Sequence, residues 1–235
     1  MQRPLASSPW WWKETMFEVK IPERPPRSLK LFELDRAWRQ CGYLYGEDRG
    51  KCGDAWNAYA HGYLEVVRRL TKAVKRNEFS SDTFGYPIFF LVHQYLELRM
   101  KEIIKNGRLL IEKNSQVQKG HDLTQLWGEC KEILKRLDGW KNYNELDDEV
   151  RQIYLTLDHF IQEINRDPHG QSFRYPVDRD GKPLLNDDSI QALNVKNLAT
   201  VFEWVSSILD GISTGIDEEQ KARAEYLAEF AEEYI

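Results

Sequence analysis

The sequence predicts an all-α helical bundle, and three observations carry that prediction. Apolar residues recur at three- and four-residue steps in at least five separate windows, the spacing that gathers them on one face of a helix. No segment of any length alternates apolar and polar residues as a half-buried strand does. The 235 residues are 41% hydrophobic and 30% charged with only 14 Gly and 9 Pro, which is a globular composition, neither disordered nor collagen-like. Strand content below about 5% is therefore expected, against a usual value of about 20–25%.

The elements follow in order. Residues 1–52 read as an irregular arm, because Pro4, Pro9, Pro22, Pro25 and Pro26 forbid a long helix before Leu29. Arg36 to Tyr45 leaves room for a short one. Trp10, Trp11, Trp12 and Phe17 are too hydrophobic to hang in water, so the arm is expected to wrap its own domain or a partner. The main bundle is expected over 54–212. Its first helix, about 54–77, carries Trp56, Tyr59, Ala60, Tyr63, Leu70 and Val74 on one stripe. Arg68, Arg69, Lys72, Lys75 and Arg76 fill its C-terminal half, where cations complement the helix dipole. A turn is expected from Asn77 to Gly85, then a helix over about 86–113 opening on Tyr86-Pro87, since proline is tolerated in a first turn. That helix is apolar nearly all round at its start, which marks it as central, and Gly107 is expected to loosen its end.

Asp122 offers an N-cap with Gln125 in the capping-box position, opening a helix over about 123–137. The cleanest amphipathic pattern spans 145–166 and ends at Asp167-Pro168. A loop of about 20 residues follows, rich in Asp, Pro and Gly and longer than most connections. Helices over about 192–213 and 217–233 complete the chain, the second making residues 217–235 a separate acidic element packed on the bundle or on a partner.

Charge is uneven. The net value is −5, yet from Asp217 onward seven acids face only Lys221 and Arg223, while residues 62–119 hold eleven Lys and Arg against six acids. The central helices thus present a basic face, either a solvated outer surface or one that attracts phosphate through Arg68, Arg69, Lys72 and Arg76. The longest apolar run, Ile88 to Val92, is far short of the ~20 residues of a membrane helix, and the N-terminus lacks a secretory apolar stretch. A cytoplasmic protein is expected. Cys41, Cys52 and Cys130 are odd in number and wrongly spaced for a zinc knuckle, so reduced thiols without disulfide, metal or cofactor are expected.

The glycines never fall into a phosphate-loop pattern, and no paired-His metal signature lies on a helix. His93, Glu97 and Lys101 stand at four-residue steps and share one helix face. Glu97 lies in an apolar stretch, where a carboxylate costs several kcal/mol unless a cation and hydrogen bonds satisfy it. Lys101, His121 and Arg174 are the candidate partners, in a buried cross-tie or around a catalytic carboxylate. Arg174, flanked by Phe173 and Tyr175, suits a bidentate pair that pins the long loop, with Glu97 as the expected acid.

The segment 89–104 (Phe-Phe-Leu-Val-His-Gln-Tyr-Leu-Glu-Leu-Arg-Met-Lys-Glu-Ile-Ile), followed by Gly120-His121-Asp122-Leu123 and by Phe173-Arg174-Tyr175-Pro176, resembles bacterial helical-bundle proteins of the HEPN-like type over about residues 54–212. The resemblance implies an all-α bundle, frequent dimerisation, roles in toxin–antitoxin, antiviral defence and RNA-processing systems, and, in active members, metal-independent RNA cleavage. Those members carry an Arg separated by four to six residues from a His. Here Arg166 and His169 are separated only by Asp167 and Pro168, and no other histidine has an Arg at usable upstream spacing. Three functions are therefore weighed. One is a non-catalytic binding or regulatory module for protein, nucleotide or RNA, acting as a homodimer or a system component. Another is a ribonuclease with a contracted motif, His169 as general acid/base and Arg166 and Arg174 stabilising phosphate charge. The last is a structural interaction protein using the Trp-rich arm and the acidic last helix.

Overall fold

The computed structural model describes residues 55–112, 120–138, 146–167, 171–185 and 192–233, with side chains as far as 229. These residues form five α-helices, α1 (Ala55–Lys75), α2 (Ser81–Glu112), α3 (Leu123–Asp138), α4 (Asp148–Ile164) and α5 (Val195–Glu233), with no strand among them. The chain is an all-α bundle. The arm expected over 1–52 lies outside the described residues.

α1 stops where the backbone turns left-handed at Asn77, φ 57°, a conformation asparagine tolerates better than most residues. The Glu78 N–H then reaches the Ala73 carbonyl at 3.0 Å and the Asn77 N–H reaches that of Val74 at 3.0 Å, the paired bonds of a Schellman ending. α2 begins at Ser81, five residues before the expected start, and Pro87 sits inside it. The ring of Phe79, just before the helix, stacks on that of Phe84 in its first turn at 4.2 Å and 6°. This hydrophobic staple, with Asp82 on the positive end of the dipole, starts the helix upstream of the proline.

α2 packs against α1, α3 and α5, while α3 packs on α4 and α1 on α5. Its Ile88, Val92, Tyr95, Leu96, Met100, Ile103 and Ile104 are fully buried, so the most apolar helix is the central one. Trp127 of α3, Leu157 and Ile161 of α4, and Phe202 of α5 close around it. Gly107 does not loosen α2, which runs on to Glu112. A Cβ there would lie 2.4 Å from Ile133 Cγ2, so glycine is what lets α2 and α3 approach this closely.

α3 starts as the capping box predicts, with Gln125 N–H donating to Asp122 Oδ1 at 3.0 Å. α4 is capped by Asp147, which accepts the Val150 N–H at 2.8 Å. Asn165, at the end of α4, ties the two helices. Its amide donates to Asp122 at 3.2 Å and Thr124 at 2.9 Å, and its carbonyl accepts the Leu123 N–H at 2.9 Å.

The two helices expected over 192–213 and 217–233 are one, α5, unbroken through Gly211 and Gly215. Each glycine inside a helix costs about 1 kcal/mol relative to Ala. Contacts with the second half of α2 offset this: Asn106 donates to Asp217 at 3.1 Å, and Gln220 and Arg223 donate to the Asn106 and Leu110 carbonyls at 2.8 and 2.9 Å. Among the described residues no helix is long and apolar enough to cross a membrane.

Candidate functional site

Tyr86, Phe90, His93, Glu97 and Lys101 recur along α2 at steps of three and four residues, forming one continuous face. The 171–175 segment and the start of α3 meet this face. The outer end is aromatic and open; the inner end is polar and buried.

At the inner end Glu97 is buried, and its Oε1 accepts the Lys101 ammonium at 2.7 Å and is hydrogen-bonded with His121 Nδ1 at 2.8 Å. One turn away His93 is 1% exposed, and among the described residues neither of its ring nitrogens, nor Glu97 Oε2, has a hydrogen-bond partner. Burial holds the His93 pKa below its ordinary value, against the opposing pull of the Glu97 and Asp167 charges and with a small further push from His121.

This predicts a pH dependence of known sign. His93 is neutral in the fold, whereas in the unfolded chain it takes up a proton near pH 6.5. Stability is therefore complete above that value and is lost as pH falls below it, at a limiting slope of about 1.4 kcal/mol per pH unit, until the folded pKa is reached. Urea melts of the protein should weaken between pH 7 and about pH 5.5. His93→Leu, which removes two unsatisfied nitrogens, should match it at pH 7 and show the shallower slope. Equal slopes would mean that His93 is not held neutral.

At the outer end Arg174 does not meet Glu97, contrary to the sequence expectation. Residues 171–174 form a tight turn, with Arg174 and Tyr175 N–H both donating to the Gln171 carbonyl at 2.9 and 3.0 Å. That turn hangs from buried Asp167, which accepts the Ser172 N–H at 2.7 Å. Phe173 is turned inward, stacked on Phe89 at 3.8 Å, and the next side chain, Arg174, lies over the rings of Phe90 at 5.2 Å and Tyr175 at 5.3 Å. Cation–π attraction thus takes the place of the expected ion pair. Among the described residues no carboxylate pairs with Arg174. Tyr86, Pro87, Phe90, Phe173, Arg174 and Tyr175 line a pocket of about 440 Å³, and Tyr86 and Tyr175 are each about half exposed.

The other expected site residues fall into separate places. Arg166 donates to Glu163 at 2.8 Å on the last turn of α4 and its end, and His169 lies outside the described residues. Arg68 is not available to a ligand in the way the sequence suggested: it is bidentate on Glu203 of α5, at 2.9 to 3.1 Å, and also bonds Glu65 at 3.1 Å. Those bonds, that to Glu203 foremost, hold its pKa above the ordinary value. Arg69, Lys72 and Arg76 are exposed. Among the described residues no group of three or more His, Cys, Asp or Glu side chains is placed to hold a metal ion.

One buried polar network was missed from the sequence. Arg99 on α2 bonds Glu102, Asp210 at 2.9 Å, Asn57 at 3.2 Å and Ser213 at 3.4 Å, and Tyr95 donates to Asp210 at 2.8 Å. Burial opposes the Arg99 charge, but Glu102 and Asp210 outweigh it and raise its pKa. Burial, then Asp210, raises that of Tyr95. The signal was an Arg and a Glu three residues apart on the central helix, away from the face that carries His93, Glu97 and Lys101. No protein-family model, no curated protein and no solved structure matches the chain.

Proposed function

We propose that the chain is a non-catalytic, HEPN-like binding module that takes a nucleotide, free or within single-stranded RNA, in the pocket between the start of α2 and the 171–175 turn. The observation that carries this reading is Arg174: a guanidinium held between two aromatic rings, without a carboxylate among the described residues, at the mouth of an open pocket. Such a site offers a cation to a phosphate and flat faces to a base, the two features by which unpaired nucleotides are bound. A pocket of about 440 Å³ accommodates one such unit, within the range of about 300–1,000 Å³ typical of ligand sites. The non-catalytic part is supported by the arginines: Arg166 is engaged by Glu163, and Arg174 by Phe90 and Tyr175, so the two cations of the expected nuclease focus have different partners.

Fluorescence anisotropy with a single-stranded RNA oligomer should show binding that duplex RNA of the same length does not match. Base–aromatic stacking contributes about 1–3 kcal/mol per base, so Tyr175→Ala should weaken binding by about tenfold or more. Arg174→Lys should not rescue what Arg174→Ala loses, since an ammonium is not planar. The RNA should remain intact in the absence of metal. Cleavage abolished by His169→Ala with the fold retained would replace this reading with the ribonuclease one.

A further inference from the structure

We infer that His93 is a proton-operated release for the pocket: neutral, it leaves the 171–175 turn anchored on Asp167 and the nucleotide bound; protonated, it draws Asp167 from the turn and the nucleotide leaves. This regulation rests on the nucleotide reading of the Arg174 pocket. His93 and Glu97 stand one turn apart on one face of α2. Among the described residues, both ring nitrogens of His93 and Oε2 of Glu97 are buried without a partner. Such atoms are costly, and a fold that keeps three of them together needs a reason for them. A proton supplies one. An imidazolium donates from both nitrogens, and Glu97 Oε2 is an acceptor with nothing else to accept.

The charges that face His93 come from three elements. Glu97 comes from α2, with Lys101 and His121 on its Oε1; His121 and Asp122 come from the start of α3; Asp167 follows the end of α4. Three carboxylates against one ammonium give the cluster an excess of negative charge, which attracts a proton to the ring. Burial opposes that pull and keeps His93 neutral near pH 7, so the proton enters in the acid range.

The second acceptor for the imidazolium is what ties it to the pocket. Asp122 is committed to the cap of α3, where it accepts from Gln125 and Asn165. Asp167 is buried, and the bond it accepts from Ser172 N–H at 2.7 Å is the one from which the turn hangs. That turn supplies Phe173, Arg174 and Tyr175, half of the residues that line the pocket. Phe173 stacks at 3.8 Å on Phe89, one turn before His93, so the turn and the histidine share one stretch of α2. A bond with charge on both partners outcompetes one from a neutral N–H. Protonation therefore turns Asp167 toward His93, and Ser172 loses the acceptor that holds Arg174 and Tyr175 in place.

Fluorescence anisotropy with an oligouridine, whose bases do not titrate in the acid range, reads the effect at fixed ionic strength. Binding should weaken severalfold from about pH 7.5 to about pH 5, approaching about tenfold per pH unit below the folded His93 pKa. Simple electrostatics runs the other way, since a chain of net charge −5 becomes more positive on acidification and holds phosphate better. His93→Gln, which takes up no proton, should lose the weakening, and His121→Gln should keep it. Circular dichroism at both pH values checks that parent and variants are folded. In the parent without RNA, the NMR resonance of the Ser172 amide should follow the titration of the His93 ring, and by reciprocity RNA should lower the pH at which that ring titrates. Binding that is flat or tighter in acid, a response that survives in His93→Gln or vanishes in His121→Gln, or a Ser172 amide that ignores the His93 titration would each overturn the proposal. Absence of RNA binding at about pH 7.5 sinks the nucleotide reading and this regulation together, whereas binding with a flat pH profile sinks the regulation alone.

Discussion

Arg99→Met is expected to destabilise the fold by about 3–5 kcal/mol, the usual cost of removing one partner from a buried ion pair. The side chains of Arg99 and Glu102 are 5% and 1% exposed, so water cannot replace the guanidinium once it is gone. Methionine fills much of the arginine volume, and cavity formation is therefore a minor part of the loss; the larger part is a carboxylate kept in the core after losing Arg99. Asp210 suffers less, because it is 36% exposed and still accepts the Tyr95 hydroxyl at 2.8 Å. The double variant Arg99→Met with Glu102→Leu should recover much of the loss, since a buried pair replaced by apolar groups is often close to neutral. Urea denaturation of the parent, both single variants and the double variant measures the coupling directly. A cost for Arg99→Met below about 1 kcal/mol would place Glu102 within reach of solvent and remove the argument.

What was legible in the sequence was what depends on local pattern. The apolar surround of Ile88 to Leu96 identified α2 as central, and Asp122 with Gln125 placed the start of α3, because both signals act within one or two turns. The elements that were misread are those where distant contacts override a local signal. The pattern read as two helices, about 192–213 and 217–233, yet Asn106 and Leu110, more than a hundred residues earlier, hold the second half of α5 in line with the first. Pro87 read as a helix start, yet a ring stacked from outside the helix moved the start to Ser81.

The candidate site divides in the same way. His93, Glu97 and Lys101 were legible as one face, since four-residue spacing on a helix fixes it, and His121 followed from its place before a capping box. The partner of Arg174 was not. Its aromatic neighbours in sequence suggested an embedded pair, but the turn at Gln171 sends Phe173 inward and leaves Arg174 on the rings of Phe90 and Tyr175 at the pocket mouth. Which of two adjacent side chains faces the core depends on the turn that carries them, and that is decided by Asp167 and Gln171 together.

Glu97→Gln is expected to cost about 1.5–3 kcal/mol, the range for hydrogen bonds to charged groups, and less than Arg99→Met. The amide keeps the shape of the carboxylate and still accepts from His121, so what is lost is the charge facing Lys101, whose side chain is 13% exposed. Lys101 and His121 both retain some access to water, His121 at 63%, and neither becomes an isolated buried ion. The comparison that isolates burial is Glu163→Gln. It likewise removes the charge from the Arg166–Glu163 contact at 2.8 Å, close to the 2.7 Å between Lys101 and Glu97, but with both partners exposed, at 41% and 67%. That substitution should change stability by less than about 0.5 kcal/mol, as exposed pairs do. Thermal melts of the two variants side by side separate the contributions of contact distance and of surroundings. If both shifted the melting temperature equally, the buried position of Glu97 would have no energetic consequence, and the cross-tie between α2 and the start of α3 would be an incidental contact.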